Sequence, residues 1–143
     1  MGREIEFSIV SELARVPLLA AAVRGALEGA QVDSANARGI ERCVAEWSNN
    51  VIEHGYGGEP GHPIRIRLDV DAERVLVQIH DSARPFDPVA RRESCRKSLD
   101  FDPSDLDSLP ERGMGLPLIH ATMDEVKHQL TVEGNTLELV RYR

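Results

Sequence analysis

Glu46, Asn50 and His54 stand at i, i+4 and i+8 within residues 41–56, placing a carboxylate, an amide and an imidazole at helical spacing. On a helix they project as one row. Ile40, Val44, Trp47 and Val51 recur beside them at three- and four-residue steps, so this helix has a buried stripe with the polar row along its edge. Such a row can serve as a site wall, in which Asn50 offers an oxygen to a hard cation and Glu46 acts as a base. The same three residues also suit an ordinary solvated face.

Two further clusters fall at the ends of predicted elements. Asp81 directly follows a strand ending at His80 and opens the run Ser82-Ala83-Arg84-Pro85-Phe86-Asp87-Pro88. A carboxylate there can accept a hydrogen bond from an exocyclic amine such as that of adenine, or simply close an Asx turn. Arg112-Gly113-Met114-Gly115-Leu116 precedes a short apolar helix. Its glycines permit close backbone approach, and the free amides of a helix start suit phosphate. Other motifs fail on inspection. Gly55-Tyr56-Gly57-Gly58 follows a helix and precedes a strand, the reverse of a dinucleotide loop, and no Walker A sequence is present. The five histidines lack metal-ligand spacing, and no serine sits in a nucleophile elbow.

The elements that must position these clusters follow from periodicity. Residues 5–10 alternate as a strand, and a first helix starts near Val16 with Pro17 in its first turn and Gly29 at its end. Asp33 and Ser34 cap a second helix that runs to His54, with Gly55 as the stop. Residues 64–70 and 75–79 alternate around Asp71-Ala72-Glu73 as a hairpin, and residues 126–132 and 136–142 form a second hairpin around Gly134-Asn135. Between them, residues 81–112 follow no period and carry four prolines, as expected of a mobile lid. A third helix begins at Gly113 and ends near Met123. This order predicts an α+β fold, a two-layer sandwich with a mostly antiparallel mixed sheet and three helices on one face.

The chain has 143 residues, 41% hydrophobic, which fits one domain over 1–143. No apolar run approaches the ~18 residues of a membrane span, and the N-terminus reads as a strand, not a signal peptide, so a cytoplasmic protein without membrane attachment is expected. Its net charge of −7 disfavours direct nucleic-acid binding. Cys43 and Cys95 have no disulfide-like or ligand-like spacing and are expected to be reduced thiols.

Taken together and in order, the three clusters resemble the motifs of the GHKL ATPase superfamily, which includes gyrase, heat-shock chaperones and histidine kinases, and especially those of bacterial anti-sigma factor serine kinases. Residues 46–56 resemble the family's E-x-x-x-N-x-x-x-H-[AG]-Y box, Asp81 to Pro88 its D-x-G-x-P-F-D-P box, and Arg112 to Leu116 its R-G-x-G-L box. The resemblance extends over nearly the whole chain and implies ATP and Mg²⁺ as cofactors. By it, Asn50 would bind Mg²⁺, Asp81 would read the adenine amine with Ala83 beside it, and Gly113, Met114, Gly115 and Leu116 would close on phosphate. Glu46 would orient or deprotonate the attacking hydroxyl, and Arg112 would stabilise the transferring phosphoryl group. Ala83 stands where the family has glycine, and its bulk is expected to press on the base or shift the backbone. The role of His54 does not follow from its chemistry.

A histidine kinase needs a helical hairpin before the first strand, and topoisomerase and chaperone relatives need further domains, so a stand-alone domain is expected. The family then implies a serine-protein kinase that phosphorylates an anti-sigma-factor antagonist, sequesters a sigma factor and forms a homodimer. The alternative is a non-catalytic ATP-binding partner-switch module, for which Ala83 argues and against which Glu46 argues.

Overall fold

In the computed structural model, residues 2–84, 115–131 and 134–143 are described. Residues 85–112 of the expected lid, Cys95 and Arg112 among them, lie outside the described residues, as do Gly113 and Met114.

The alternating residues form five strands: β1 (Arg3–Val10), β2 (Pro63–Val70), β3 (Arg74–Asp81), β4 (Glu125–Thr131) and β5 (Gly134–Tyr142). They hydrogen-bond in the order β1-β2-β3-β5-β4, and all four pairings are antiparallel. The last hairpin places β5 between β3 and β4, so the ends of β3 and β5 sit side by side in the sheet interior. One register row, Glu6–Arg67–Gln78–Glu138–Lys127, crosses all five strands. Within it Gln78 donates to Glu138 at 2.9 Å, while Arg67 reaches Gln78 at 3.2 Å and Glu4 at 2.7 Å. This polar face is the wet side of a half-buried sheet.

The opposite face presents Ile64, Ile66, Leu68, Val75, Val77, Ile79, Leu137 and Leu139, all fully buried. Among the described residues three helices cover it: α1 (Val16–Gly29), α2 (Ser34–Asn50) and α3 (Gly115–Thr122). Pro17 lies in the first turn of α1, where its missing N–H costs nothing. Asp33 caps α2 by accepting from the Asn36 amide at 3.1 Å. Gly39 lets α2 approach α3 closely, since a Cβ there would meet Thr122 Cγ2 at 3.0 Å.

Two boundaries differ from expectation. The second helix does not continue regularly to His54: residues Val51–Gly55 form a π turn, closed by Tyr56 N–H donating to the Val51 carbonyl at 2.8 Å. The wider turn seats Val51, Ile52 and Gly55 all in the interior and carries His54 outward, where it is exposed beside Glu53 at 3.9 Å. Gly134 and Asn135, expected at the tip of the second hairpin, instead open β5 and pair with Thr131 and Asp81.

Candidate functional site

Asp81 ends β3 opposite Asn135 of β5 and is 1% exposed. A buried carboxylate is costly unless hydrogen-bonded, and here Oδ1 accepts twice. The Ala83 amide donates at 2.9 Å, closing an Asx turn, and Asn135 Nδ2 donates at 2.7 Å. Asn135 Nδ2 also donates to the Ala83 carbonyl at 3.0 Å. Both bonds run to acceptors, which fixes the amide orientation. Among the described residues Oδ2 of Asp81 receives no hydrogen bond, so one carboxylate oxygen is committed to the turn and the other keeps its accepting capacity.

Tyr56 ties this turn to the end of the π turn. Its hydroxyl donates to the Pro63 carbonyl at 2.6 Å and accepts from the Ser82 amide at 2.8 Å, and its ring stacks on His62 with centroids 4.7 Å apart. Burial pushes the phenol's pKa up, the bond from Ser82 opposes this, and the nearby Asp81 charge adds to the rise. Gly134 completes the join between strands: a Cβ there would come within 2.6 Å of the Asp81 carbonyl oxygen. The Asp81–Ala83 segment is thereby held from β5 on one side and from Tyr56 on the other.

Asn50 is the last residue of α2, at the change from α to π geometry, and is 6% exposed. Glu46, one turn earlier, is half-buried. Of the expected row, Glu46 and Asn50 lie on α2, and His54 lies in the π turn that follows it. Trp47, three residues before Asn50 on α2, packs edge-on against His128 of β4, with ring centroids 5.1 Å apart. Burial depresses the His128 pKa, a change the Asp81 charge partly counters. Gly115 opens α3, and Leu116 packs half-buried against the core. Cys43 is buried, and burial pushes its thiol pKa up to about 12.

Ala83 occupies its place without the backbone distortion that a glycine position would lead one to expect. Gln31 is the non-glycine residue with positive φ among the described residues, so Ala83 keeps an ordinary backbone conformation, and its methyl group joins the core at 6% exposure.

Asn135 was hidden in the sequence because Gly-Asn between two alternating runs is a strong turn signal. The available clue was the length of the preceding run: a strand pairing fully with β3 needs residues 134 and 135 to reach Asp81.

The architecture defines the class: a two-layer α+β sandwich whose buried acid and buried amide lie at neighbouring element ends. Residues 9–141 match the family described as the histidine kinase-like ATPase domain, and the chain belongs to that family. It is also similar to the serine-protein kinase RsbW of Bacillus velezensis, 30% identical over 104 residues, and to that of Bacillus subtilis, 29% identical over 104 residues. Each alignment covers 72% of this chain and 62% of the relative, so the chain matches somewhat under two thirds of those proteins' length. In fold it resembles a chain in the crystal structure of the SiaB-SiaC complex from Pseudomonas aeruginosa, with a TM-score of 0.60 at 16% identity, covering 97% of this chain and 88% of that one.

Proposed function

We propose that this chain is a single-domain, ATP-dependent serine-protein kinase that also acts as an anti-sigma factor. Family membership and the similarity to serine-protein kinases support the reading. The observation that carries it is Asp81: a buried carboxylate with Oδ1 saturated by two N–H donors and Oδ2 able to accept from a base amine.

Asn50 supplies a neutral oxygen ligand, buried and rigidly placed on α2, which fits Mg²⁺ because that ion keeps most of its waters and takes few protein ligands. Bound with nucleotide, Mg²⁺ neutralises charge on the phosphates. Glu46, four residues before Asn50 on the same helix, takes the proton of the acceptor serine. The serine oxygen then forms its bond to the γ-phosphorus as the bond to the β,γ-bridging oxygen breaks and ADP leaves. Arg112 stabilises the transferring group, while Gly113, Met114, Gly115 and Leu116 close on the phosphates. The phosphoryl acceptor is an anti-sigma-factor antagonist; its modification releases it and frees the kinase to hold a sigma factor, with the domain acting as a homodimer in the cytoplasm. Among the described residues no helix is long and apolar enough to cross a membrane, which is compatible with that location.

A non-catalytic switch module was the alternative, and it leaned on Ala83. The ordinary backbone at that residue removes the argument from a shifted backbone.

The test is incubation with γ-labelled Mg-ATP and the antagonist encoded nearby, followed by mapping of the modified residue. Label on a single antagonist serine is expected, with transfer by Glu46→Gln lower by about 10²-fold or more while nucleotide binding persists. Equal transfer by wild type and Glu46→Gln would remove Glu46 as the base.

A further inference from the structure

A surface groove of about 640 Å³ lies between α1 and α2. Pro17 and Ala20 of α1 and Ala35, Gly39 and Ala45 of α2 give it an apolar floor of small residues. Leu18, next to Pro17 in the first turn of α1, is 71% exposed and extends the apolar surface. Two cations also line the groove, Arg38, which is exposed, and Arg42, which is half-buried, at i and i+4 on α2. Glu41, the acid in the lining, faces Arg24 at 3.8 Å, while Arg38 and Arg42 have no hydrogen bond or ion pair among the described residues. In a chain of net charge −7, this places two uncompensated guanidiniums over an apolar floor. A guanidinium drawn partly out of water ordinarily finds an acceptor, and here none is supplied from within the described fold.

We infer that the α1–α2 groove docks an acidic amphipathic helix of a protein partner, with its apolar face on the small-residue floor and two carboxylates one helical turn apart on Arg38 and Arg42. Residues at i and i+4 are neighbours on a helix surface, so the two guanidiniums match acids at the same spacing on a second helix laid along α2. Ala35 to Ala45 runs about 15 Å along the α2 axis, almost three turns, which gives such a helix a continuous track. The small floor residues let the partner backbone come close, near the lower end of the ~8–10 Å spacing of packed helices. A small anion would engage the guanidiniums and leave the apolar floor wet, because the groove is open to solvent and has no aromatic wall. The groove contains none of the residues assigned to nucleotide, so docking there does not rest on the Mg-ATP reading.

The probe is a fluorescein-labelled helical peptide with leucine and alanine on one face and glutamates at i and i+4 beside it, compared with the same peptide carrying glutamine or lysine at those two places. Fluorescence anisotropy with the full chain is expected to show saturable binding of the glutamate peptide and binding of the glutamine form weaker by about tenfold or more. The double variant Arg38→Glu, Arg42→Glu, with its thermal unfolding unchanged, is expected to lose about tenfold or more in affinity for the glutamate peptide and to prefer the lysine form, a swap that damage to the fold cannot produce. Ala35→Trp, which fills the groove and leaves both arginines in place, is expected to weaken the glutamate peptide as well. No saturable binding of the glutamate peptide, equal affinity for the glutamate and glutamine forms, or unchanged binding by the charge-reversed variant would overturn the assignment. Two other occupants would overturn it equally: citrate bound through the two arginines with no peptide bound, which marks a small-anion site, or self-association abolished by the charge reversal, which places a second copy of the chain in the groove.

Discussion

Replacing Ala83 with glycine restores the residue that the family motif carries, and the structure predicts that this harms the protein. The Ala83 methyl is buried in the core, and its loss removes about 0.8 kcal/mol of apolar burial. The backbone there needs no positive φ, so glycine adds unfolded-state freedom without relieving strain, at a further ~0.5–1 kcal/mol. Together the cost is about 1.5 kcal/mol. With an unfolding entropy of ~2.1 cal/mol/K per residue over 143 residues, this lowers Tm by about 5 °C. The Ala83 amide and carbonyl keep their bonds to Asp81 and Asn135, so Mg-ATP affinity is expected to stay within about threefold of wild type. Differential scanning calorimetry and isothermal titration check the two halves. A variant at least as stable as wild type that binds Mg-ATP about tenfold tighter would refute the reasoning, and would show Ala83 to be an obstruction.

Gly134→Ala places a Cβ within 2.6 Å of the Asp81 carbonyl oxygen and is expected to destabilise by about 2–4 kcal/mol by urea unfolding, with loss of nucleotide binding in the folded fraction. Tyr56→Phe removes the hydroxyl that joins Pro63 to Ser82 and is expected to cost about 1–2 kcal/mol in the same assay. The His128 pKa is depressed in the fold, so the unfolded state binds the extra proton first as acid is added: the neutral-His contribution is fully present above pH ~6.5 and falls away as pH drops through the lower folded value. His128→Gln should flatten that part of the stability profile. Cys43, with its thiol pushed up to about 12, should resist alkylation in the native state at pH 9 and react only on unfolding, as read by mass spectrometry of its peptide.

Strand alternation made the sheet legible, because a half-buried antiparallel strand must alternate to keep Ile64, Ile66 and Leu68 inside and Arg65 and Arg67 outside. The N-cap of α2 and the Asp71 turn were equally local, being set by side chains bonding to backbone a few residues away. The π turn was not legible. Helical periodicity in residues 40–51 extrapolates smoothly to His54, and Val51, Ile52 and Gly55 fit an α-helical face equally well, so no local pattern marks the change to π geometry. Asp81 could be picked out as a strand-end carboxylate, yet its burial and the commitment of Oδ1 depend on Asn135, a residue 54 positions away. Local turn chemistry pointed to a loop at Gly134-Asn135, and long-range pairing with β3 overrode it.

The central claim is that Asp81 anchors an ATP base in a site completed by Asn50. Titration of Mg-ATP into wild type, Asp81→Asn and Asn50→Ala, with folding of each verified by calorimetry, tests it most directly. The account predicts saturable binding by wild type and losses of about tenfold or more in both variants, with the Asp81 variant alone losing its preference for ATP over inosine triphosphate. Undetectable binding by wild type at millimolar Mg-ATP, or unchanged affinity in the Asp81 variant, would contradict it.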